Sequence, residues 1–599
     1  MSNILNTLIK QQTLKYGDRE AMRTYADGDF KPISWNQLDA HIDKVARALE
    51  ILDVKPGDMI AIFSANSVKM IETDFAAYAN RAVPVSIYST SSPQQVKYIV
   101  NDARACMVFC DTRERYQLVM DILDDCPHIR HVVVYNDDVD VNDDRRVMTY
   151  DALMRLGAAA GVACCVEVDR RREDARREDL ATLIYTSGTT GEPKGAMLTH
   201  GNFSAAIDIH RQLLSTLSDN DTSLCFLPLC HIFEKAWTYF CLSMGIRVTI
   251  NPDPHEIQSV IRQDKPSCMC SVPRFWEKVY TAVTEKIITS SPIKRLMARR
   301  AIAVGRRYHL DYERRGIKAP AWLKARFNFY EKHVLAPIRR AIGVEHGNIF
   351  PTAGAPLSAN IVEFMHALGI NIVIGYGLSE TTATVTCFPQ FNYQIGSVGV
   401  PIPHVQVKIG RQDEIMVKGP TVMTGYFNKP KETKEAFTDD GWFLTGDAGY
   451  FDASGALVLT ERLKDLFKTS NGKYIAPQAI ESRLGEDRYI EQVAVIGDRR
   501  KYVTAIIIPA FEALKEYAHR HSIKFKNIDD LIHNSEIIKM LTARIEKLQR
   551  GLAGFERIKK FTLMPHEFTI ERGELTNTLK LRRPVINSHY ANQIEAMYA

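Results

Sequence analysis

Residues 185–195 read Tyr185-Thr186-Ser187-Gly188-Thr189-Thr190-Gly191-Glu192-Pro193-Lys194-Gly195. The apolar residues just before this segment look like the end of a strand, and the residues from Thr199 onward look like a turn into a helix. Glycine lets backbone N–H groups approach a phosphate, the hydroxyl groups add donors, and Lys194 adds a cation. The segment therefore predicts a phosphate-binding loop. It is not a Walker-type loop, because the lysine follows Glu192-Pro193 where that pattern requires glycine.

Size and composition indicate a large chain of several lobes. The 599 residues exceed a prior of ~150 residues per domain several-fold. The net charge of +5 (76 basic minus 71 acidic) is too small to indicate nucleic acid as a partner. No apolar run approaches the ~20 residues of a membrane span, and the N-terminus does not resemble a secretory signal. The 11 scattered cysteines form no paired zinc motifs and fit reduced thiols, so we expect a cytoplasmic protein.

The first 180 residues alternate between helical and strand patterns. Ser34 with Gln37, and Ser92 with Gln95, predict capping boxes at the starts of two helices. Buried strands are expected at 59–63, 105–110, 131–135 and 370–374, a small sheet at 493–498 and 503–509, and a helix around 527–553. Helices and strands in alternation predict an α/β fold with largely parallel sheets. The charged segment 169–179 is expected to be solvated surface.

Two further segments carry residues suited to a nucleotide. Gly375-Tyr376-Gly377-Leu378-Ser379-Glu380-Thr381-Thr382 follows a predicted strand and offers a flat ring for a base, a carboxylate for Mg²⁺ and hydroxyls for a phosphate. Asp447 and Arg462 come later, and an acceptor carboxylate with a guanidinium fork can hold both ribose hydroxyls.

Taken in order, these motifs resemble those of the acyl-adenylate-forming superfamily. The resemblance spans residues 185–583 and includes the turn Thr352-Ala353-Gly354-Ala355-Pro356-Leu357 and the terminal Gly573-Glu574-Leu575-Thr576-Asn577-Thr578-Leu579-Lys580-Leu581-Arg582-Arg583. Ala353 and Asn577 depart from the usual glycine and proline of those motifs. With its long helical insertion, the chain looks like a bacterial long-chain fatty acyl-CoA synthetase. The resemblance implies a large N-terminal α/β adenylation lobe, residues 1–463, and a small mobile α+β C-terminal lobe, residues 464–599.

The resemblance also implies a role for each motif residue. The phosphates of ATP would be held by Thr186, Ser187, Gly188, Thr189, Thr190, Gly191 and Lys194, and the α-phosphate also by Thr381. The adenosine would be held by Gly354, Ala355, Pro356, Tyr376, Gly377, Asp447 and Arg462. Glu380 would bind Mg²⁺, and Lys580 would bridge the carboxylate and the α-phosphate as the catalytic lysine. Lys464 corresponds to the hinge, Gly472 to the loop that faces CoA, and His231 to the wall of the acyl pocket.

The implied reaction has two steps with ATP, a fatty acid and CoA as substrates. The fatty acid would be activated to acyl-AMP with release of pyrophosphate, and the acyl group would then pass to CoA. The same motifs occur in fatty acyl-AMP ligases and peptide-synthetase adenylation domains, which load carrier proteins, and in luciferases. Medium-chain or aryl acids are alternative substrates, and a catalytically silent nucleotide-binding scaffold is an alternative of another class.

Residues 285–340 form a basic insertion. They hold 15 Lys and Arg residues in positions that favour helices, and Ile293, Leu296, Met297, Val304 and Tyr308 are expected to form one apolar stripe. Three interpretations stay open: a solvated insertion packed on the main lobe, a surface that binds anionic lipid on the inner face of the membrane, or electrostatic steering of anionic substrates. A homodimer is an expectation from the family alone.

Overall fold

The computed structural model describes residues 4–141, 144–186, 192–462, 467–470, 473–576 and 580–599. Helices and strands alternate along the first 186 residues, and this confirms the predicted fold class. They are α1 (Leu5–Tyr16), β1 (Glu20–Ala26), β2 (Asp29–Ser34), α2 (Trp35–Ile51), β3 (Met59–Phe63), α3 (Val68–Ala79), β4 (Val83–Ile87), α4 (Pro93–Asp102), β5 (Met107–Cys110), α5 (Arg113–Ile122), β6 (His131–Val134), β7 (Val147–Thr149), α6 (Tyr150–Ala158), α7 (Val162–Glu173) and β8 (Leu180–Thr186).

A parallel five-stranded sheet lies at the centre of this region, in the order β4-β3-β5-β6-β7. Every residue of β3, β4 and β5 is buried, as expected for strands covered on both faces. Both predicted capping boxes are present, at Ser34 with Gln37 and at Ser92 with Gln95. The sequence patterns therefore located these strands and helix starts correctly.

The expectation that 169–179 is solvated surface is wrong for its first part. Arg171 and Arg172, in α7, are 5% and 6% exposed. Arg171 donates to the carbonyl of Val54 at 2.8 Å, and Arg172 pairs with Asp43 at 2.8 Å. Buried charges need such partners, and partners that lie far away in sequence are invisible to a local charge pattern.

The middle of the chain contains the insertion and the second sheet system. Its elements are β9 (Lys194–Thr199), α8 (His200–Leu213), β10 (Thr222–Cys225), α9 (Ile232–Met244), β11 (Arg247–Ile250), α10 (Ile257–Asp264), α11 (Pro273–Thr289), α12 (Pro292–Arg306), α13 (Ala321–Tyr330), α14 (Ala336–Ile342), β12 (Phe350–Thr352), α15 (Ala359–Ala367) and β13 (Ile372–Tyr376). Two π-helical segments lie at Arg307–Tyr312 and Glu331–Leu335. The segment 268–271 connects the sheet β10-β11-β1-β2 to β12, because Cys268 forms bridges to Ser223 of β10 and to Ile349, and Ser271 forms a bridge to Thr352 of β12.

The remaining strands and helices complete a further sheet and the C-terminal region. They are β14 (Thr386–Cys387), β15 (Val400–Pro401), β16 (Gln406–Ile409), β17 (Glu414–Lys418), α16 (Pro430–Ala436), β18 (Phe443–Phe451), β19 (Leu457–Arg462), β20 (Phe467–Lys468), β21 (Tyr474–Ile475), α17 (Pro477–Leu484), β22 (Ile490–Ile496), β23 (Val503–Pro509), α18 (Phe511–Arg520), α19 (Ile528–Ile532), α20 (Ser535–Leu548), β24 (Ile558–Leu563), α21 (Arg583–His589) and α22 (Ala591–Tyr598). Short 3-10 turns occur at Leu123–Asp125, Pro254–Glu256, Glu313–Arg315, Ser379–Thr381 and Arg411–Asp413.

The small C-terminal sheet is confirmed and is larger than predicted. Strands β22 and β23 pair antiparallel, and β24 adds a parallel third strand that the sequence analysis missed. The two faces of this sheet pack into two separate apolar clusters. The predicted helix around 527–553 is two helices, because Asn534 caps the start of α20 and thereby ends the shorter α19. The division of the chain at residue 463/464 stays a prediction.

The apolar stripe expected in the insertion is also wrong. Val304 is 7% exposed and packs inward, whereas Ile293 and Leu296 are 74% and 49% exposed. The buried face of α12 is formed instead by small residues, which allow close packing on its neighbours α13 and α15. Among the described residues, no helix is both long and apolar enough to cross a membrane. All 11 cysteines are free thiols.

Candidate active site

The phosphate-loop segment connects the two strands of a β-hairpin. Strands β8 and β9 pair antiparallel, and Thr186 lies opposite Lys194 at the end of the ladder. The Thr186 hydroxyl donates to the Lys194 carbonyl at 3.5 Å. Ser187, Gly188, Thr189, Thr190 and Gly191 lie outside the described residues, so their roles stay predictions. The hairpin fixes the two predicted site residues at the ends of the loop next to each other.

Tyr426 links Lys194 to Glu380. The Lys194 ammonium lies 5.2 Å from the centre of the Tyr426 ring, a cation–π distance. The Tyr426 hydroxyl donates to Oε1 of Glu380 at 2.9 Å, and Glu380 is 9% exposed. Backbone hydrogen bonds of 2.9 and 2.8 Å join residues 195–197 to residues 425–427, which holds Tyr426 beside β9. The predicted phosphate cation and the predicted metal ligand therefore belong to one connected group.

The predicted adenine-binding segments follow two parallel strands and therefore lie at the same edge of their sheet. Strand β12 pairs in parallel with β13, so the residues after each strand emerge at the same carboxyl end. Gly354, Ala355 and Pro356 follow β12 and are exposed there. Gly377 follows β13, and a Cβ at this position would lie 2.0 Å from the carbonyl oxygen of Ala383. This close backbone contact requires glycine at residue 377.

The predicted base and ribose residues are in direct contact. The Tyr376 hydroxyl donates to Oδ2 of Asp447 at 2.8 Å, and Tyr376 is 7% exposed. Asp447 lies opposite Arg462 in the antiparallel pair β18–β19. The N–H of Asp447 donates to the Thr445 hydroxyl at 3.1 Å, which fixes the backbone at the carboxylate. The backbones of Asp447 and Arg462 and the side chains of Tyr376 and Asp447 are thus neighbours, although the residues are up to 86 positions apart in sequence; their roles toward adenosine stay predictions.

The Thr381 hydroxyl forms hydrogen bonds with the protein backbone. Thr381 is 0% exposed; its hydroxyl accepts from the Leu378 N–H at 2.9 Å and donates to the Leu378 carbonyl at 3.1 Å. Ser379, two residues earlier, is only half-buried, and its hydroxyl has no hydrogen bond among the described residues. The geometry therefore favours Ser379 as the phosphate donor of this turn, which the sequence analysis overlooked.

His231 begins α9 and is held in its neutral form. Its Nδ1 accepts from the N–H of Phe233 at 3.2 Å, so the proton of the neutral ring is on Nε2. Burial, and secondarily the nearby positive charge of Lys580, lower the pKa of His231 to about 4. Lys580 belongs to the C-terminal motif, and its N–H donates to the Thr576 hydroxyl at 3.0 Å. The structure therefore brings the predicted catalytic lysine close to the predicted acyl-pocket residue.

The loop that carries His231 is fixed by two side chains that the sequence analysis did not identify. The Asn66 side chain donates to the Leu227 carbonyl and accepts from the Leu229 N–H, both at 2.8 Å. Glu234 is fully buried and accepts from the Leu227 N–H at 3.2 Å. Burial raises the pKa of Glu234 to about 8. Asn66 follows strand β3, and a polar residue just after a buried strand is the signal that could have identified it.

The side chains at Glu380 suit Mg²⁺ when a nucleotide is present. Mg²⁺ in phosphoryl sites is held by one or two carboxylates, water and phosphate oxygens. Glu380 offers one carboxylate that is oriented by Tyr426. Within the described ranges, no three His, Cys, Asp or Glu side chains converge on a metal position. A metal at Glu380 would therefore take most of its ligands from the nucleotide and water.

A family profile described as "AMP-binding enzyme" matches residues 9–427, and one described as "AMP-binding enzyme C-terminal domain" matches residues 464–599. The chain belongs to the AMP-binding enzyme family. It is 33% identical over 577 residues to the long-chain-fatty-acid–CoA ligase FadD15 of Mycobacterium bovis, covering 96% of this chain and 93% of that protein. It is 28% identical to long-chain-fatty-acid–CoA ligase 1 of Homo sapiens, covering 96% and 83%.

Solved structures of adenylate-forming enzymes share the fold of this AMP-binding enzyme. The A-PCP didomain of carboxylic acid reductase from Segniliparus rugosus, in complex with AMP, matches with a TM-score of 0.77 at 22% identity, covering 100% of this chain and 82% of that one. The anthranilate CoA ligase AuaEII, in complex with anthranoyl-AMP, matches with a TM-score of 0.72 at 17% identity, covering 98% and 97%. The hinge candidate Lys464 and the CoA-loop candidate Gly472 lie outside the described residues.

Proposed function

We propose that this AMP-binding enzyme is an AMP-forming ligase that joins a long-chain fatty acid to CoA. The proposal rests chiefly on one observation: Lys194, Tyr426 and Glu380 form one connected group at the predicted phosphate site. The adenosine pair Tyr376–Asp447 is formed as well, and Lys580 lies near His231. The fatty-acid substrate is inferred from the names of relatives that align over nearly the whole chain.

In the first step, a carboxylate oxygen of the fatty acid attacks the α-phosphorus of ATP. The bond from that phosphorus to the bridging oxygen of pyrophosphate breaks, and acyl-AMP forms. Negative charge on the transferred groups is stabilised best by donors and cations that are already in place. Lys194 acts on the phosphates at one end, and Lys580 bridges the carboxylate and the α-phosphate at the other. Tyr376, Asp447 and Arg462 hold the adenosine.

Glu380 would hold the Mg²⁺ ion that accompanies ATP, and the ion would supply charge neutralisation at the phosphate oxygens. Tyr426 orients the carboxylate for this purpose through its hydroxyl. Ser379, Thr186 and Lys194 would donate to the phosphates from the protein side. Neutral His231 would border the acyl group, because a charged ring at this position would be costly to desolvate.

In the second step, the sulfur of CoA attacks the carbonyl carbon of acyl-AMP. The thioester bond forms, AMP leaves, and the thiol proton is released. We propose that the small lobe rotates about Lys464 between the steps, which withdraws Lys580 and presents the Gly472 loop. Lys464→Pro should then impair thioester formation and spare adenylate formation, whereas equal loss of both half-reactions would contradict the hinge assignment.

The test is a substrate ladder of fatty acids with ATP, Mg²⁺ and CoA, in which AMP, pyrophosphate and acyl-CoA are measured together. Equal yields of AMP, pyrophosphate and thioester, with the highest rate at long chains, are expected. A maximum at medium-chain or aryl acids would overturn the chain-length assignment alone. Acyl-AMP without thioester would indicate a ligase that loads a carrier protein and overturn the second step.

We also propose that the insertion binds an anionic lipid surface. Trp322 and Phe329 lie seven residues apart on one face of α13 and are 53% and 52% exposed. The Arg307 guanidinium lies 5.0 Å from the Trp322 ring and connects this face to α12, where Ile293 is 74% exposed. Aromatic and aliphatic side chains among arginines are typical of peripheral membrane contacts.

Vesicle sedimentation tests the membrane proposal. The protein should bind vesicles of phosphatidylglycerol and not those of phosphatidylcholine, and Trp322→Ser with Phe329→Ser should weaken binding at least fivefold. Phe555→Ser, which removes a 44%-exposed aromatic from the C-terminal region, is the matched control. Unchanged binding of the double variant would exclude this surface as the contact. A homodimer, proposed from the family alone, is tested separately by sedimentation velocity.

A further inference from the structure

Helix α11, which leads into the basic insertion, contacts the start of strand β22 and the residues just before it through two ion pairs. Arg274, in its first turn, pairs with Glu491 of β22. Glu285, near the other end of α11, pairs with Arg488 at 2.7 Å. Arg274 and Glu285 are eleven residues apart, which is about three helical turns or roughly 16 Å, so both point from the same face of the helix. Two contacts at this spacing resist rotation better than one.

Further polar groups lie along the same line of contact. Glu277 lies 3.5 Å from Arg274, one turn further along α11. Burial raises the pKa of Glu277, and the carboxylates of Glu486 and Glu491 act in the same direction. The Asn360 side chain donates to Glu486 at 3.4 Å. Arg274 is therefore the cation that keeps a group of carboxylates from two parts of the chain together.

On the C-terminal side, several side-chain contacts hold the segment that carries Arg488 and Glu491. The Arg488 and Arg544 guanidinium groups each lie 4.9 Å from the centre of the Tyr489 ring. Arg544 also pairs with Asp487 at 2.6 Å, and Asp487 is buried. A displacement of Arg488 or Glu491 would therefore move the whole segment 487–491, not one side chain.

This segment is coupled to the motif that carries Lys580. Gln492, directly after Glu491, donates to the Phe568 carbonyl at 3.2 Å and accepts from the Phe568 N–H at 2.7 Å. The N–H of Thr569 donates to the Glu574 carboxylate at 3.2 Å, and Glu574 lies at the start of the C-terminal motif. The contact of Glu491 with α11 is thus connected, through Gln492 and Phe568, to the start of the C-terminal motif that carries Lys580.

We propose that Arg274 and Arg488 are positioning residues whose ion pairs across α11 hold the C-terminal lobe in the orientation that presents Lys580 for adenylate formation. The inference rests on the proposed function, since it assigns these pairs to the first of its two half-reactions. The pairs are partly exposed, with side-chain exposures of 33% and 30% for Arg274 and Glu491 and 19% and 37% for Arg488 and Glu285. Partly exposed pairs can break in each catalytic cycle, as a lobe that moves between the steps requires.

The expected effect differs between the two half-reactions. Loss of one pair, as in Arg488→Gln, should lower the rate of adenylate formation about two- to fivefold. Arg274→Glu should lower it at least about tenfold, because a fourth carboxylate would then adjoin Glu277, Glu486 and Glu491. Thioester formation from supplied acyl-AMP and CoA should be unchanged or faster, since the orientation that competes with it is weakened.

The experiment uses the full chain and measures ATP–pyrophosphate exchange and single-turnover thioester formation separately. Arg274→Glu, Glu491→Arg and the double reversal are compared, and the double reversal should recover exchange to within about threefold of wild type. Lys278→Glu is the matched control, because Lys278 is exposed on α11 and has no ion pair among the described residues. Thermal unfolding of each variant identifies any that fail to fold.

Two results would overturn the positioning role. One is an equal loss of both half-reactions in the folded Arg274→Glu variant, and the other is a double reversal no better than the worse single variant. A wild-type chain that forms no acyl-AMP would instead refute the proposed function, so the two failures are distinguishable.

Discussion

Replacing Tyr426 with phenylalanine tests the connection between the phosphate and metal sites. The change removes the hydroxyl that donates to Glu380 at 2.9 Å and keeps the ring that lies 5.2 Å from the Lys194 ammonium. A hydrogen bond to a charged group contributes about 1.5–3 kcal/mol, and the lower figure suits this half-buried pair. Because ~1.4 kcal/mol is a factor of ten, kcat/KM for ATP should fall about tenfold.

The assay is ATP–pyrophosphate exchange at a series of Mg²⁺ concentrations. The Tyr426→Phe variant should need more Mg²⁺ for half-maximal exchange, since a carboxylate that is no longer oriented binds the metal less well. Tyr426→Leu should lose a further two- to fivefold, corresponding to a cation–π contribution of about 0.5–1 kcal/mol. Tyr450→Phe, at a 51%-exposed tyrosine of β18, is the matched control. An unchanged Mg²⁺ dependence in Tyr426→Phe would refute the link, and equal activity of the Phe and Leu variants would refute the role of the ring.

Three further predictions concern single positions. Ser379→Ala should lower kcat for adenylate formation about tenfold. Thr381→Ala should mainly lower the Tm, because the Thr381 hydroxyl bonds only the Leu378 backbone among the described groups. A larger loss of exchange activity in Thr381→Ala than in Ser379→Ala would instead make Thr381 the phosphate donor. Gly377→Ala should abolish most exchange activity, because the added Cβ would lie 2.0 Å from the Ala383 carbonyl oxygen. Gly554→Ala is the control and should be neutral, because nothing lies within 4 Å of a Cβ at that position. An active Gly377→Ala variant would show that this turn can shift. The pKa of Glu234 is raised from 4.5 to about 8 by burial, so between these pH values the folded chain holds a proton that the unfolded chain has lost. The free energy of unfolding should therefore fall by a total of about 5 kcal/mol as pH rises through this range. The Tm advantage of Glu234→Gln over wild type should grow from pH 5 to pH 8, and a constant difference would contradict the raised pKa.

Local patterns in the sequence were sufficient for much of the fold. Strand β3 was predicted to the residue, because a fully buried parallel strand is a continuous apolar run between turn signals. The capping boxes of α2 and α4 were predicted because both partners lie within four residues. Arg171 was misplaced because two of its three hydrogen-bond partners, Val54 and Asn80, are about a hundred residues away. Local signals cannot report such contacts.

In the candidate site, too, local sequence patterns identified some residues and missed those whose contacts are distant in sequence. Motif order predicted adenosine-binding roles for Tyr376 and Asp447; the structure joins the two side chains by a hydrogen bond, and the roles stay predictions. Asn66 and Tyr426 act through backbone or side-chain groups more than 40 residues away, and neither lies in a motif. Thr381 and Ser379 are chemically similar in sequence, and only their burial separates them. Residue type and spacing can identify the chemistry of a turn but not which hydroxyl faces the ligand.

The hydrogen bond from Tyr376 to Asp447 couples the proposed base-binding ring to the proposed sugar-binding carboxylate. Substitution of Asp447 would also remove the hydrogen bond that holds the Tyr376 ring, so it should weaken the proposed contacts to the base as well as those to the ribose. The effects of changing both residues should then be less than the sum of the separate effects. With these proposed roles, base recognition and ribose recognition would depend on one contact that is present before any nucleotide binds, so neither could change independently of the other.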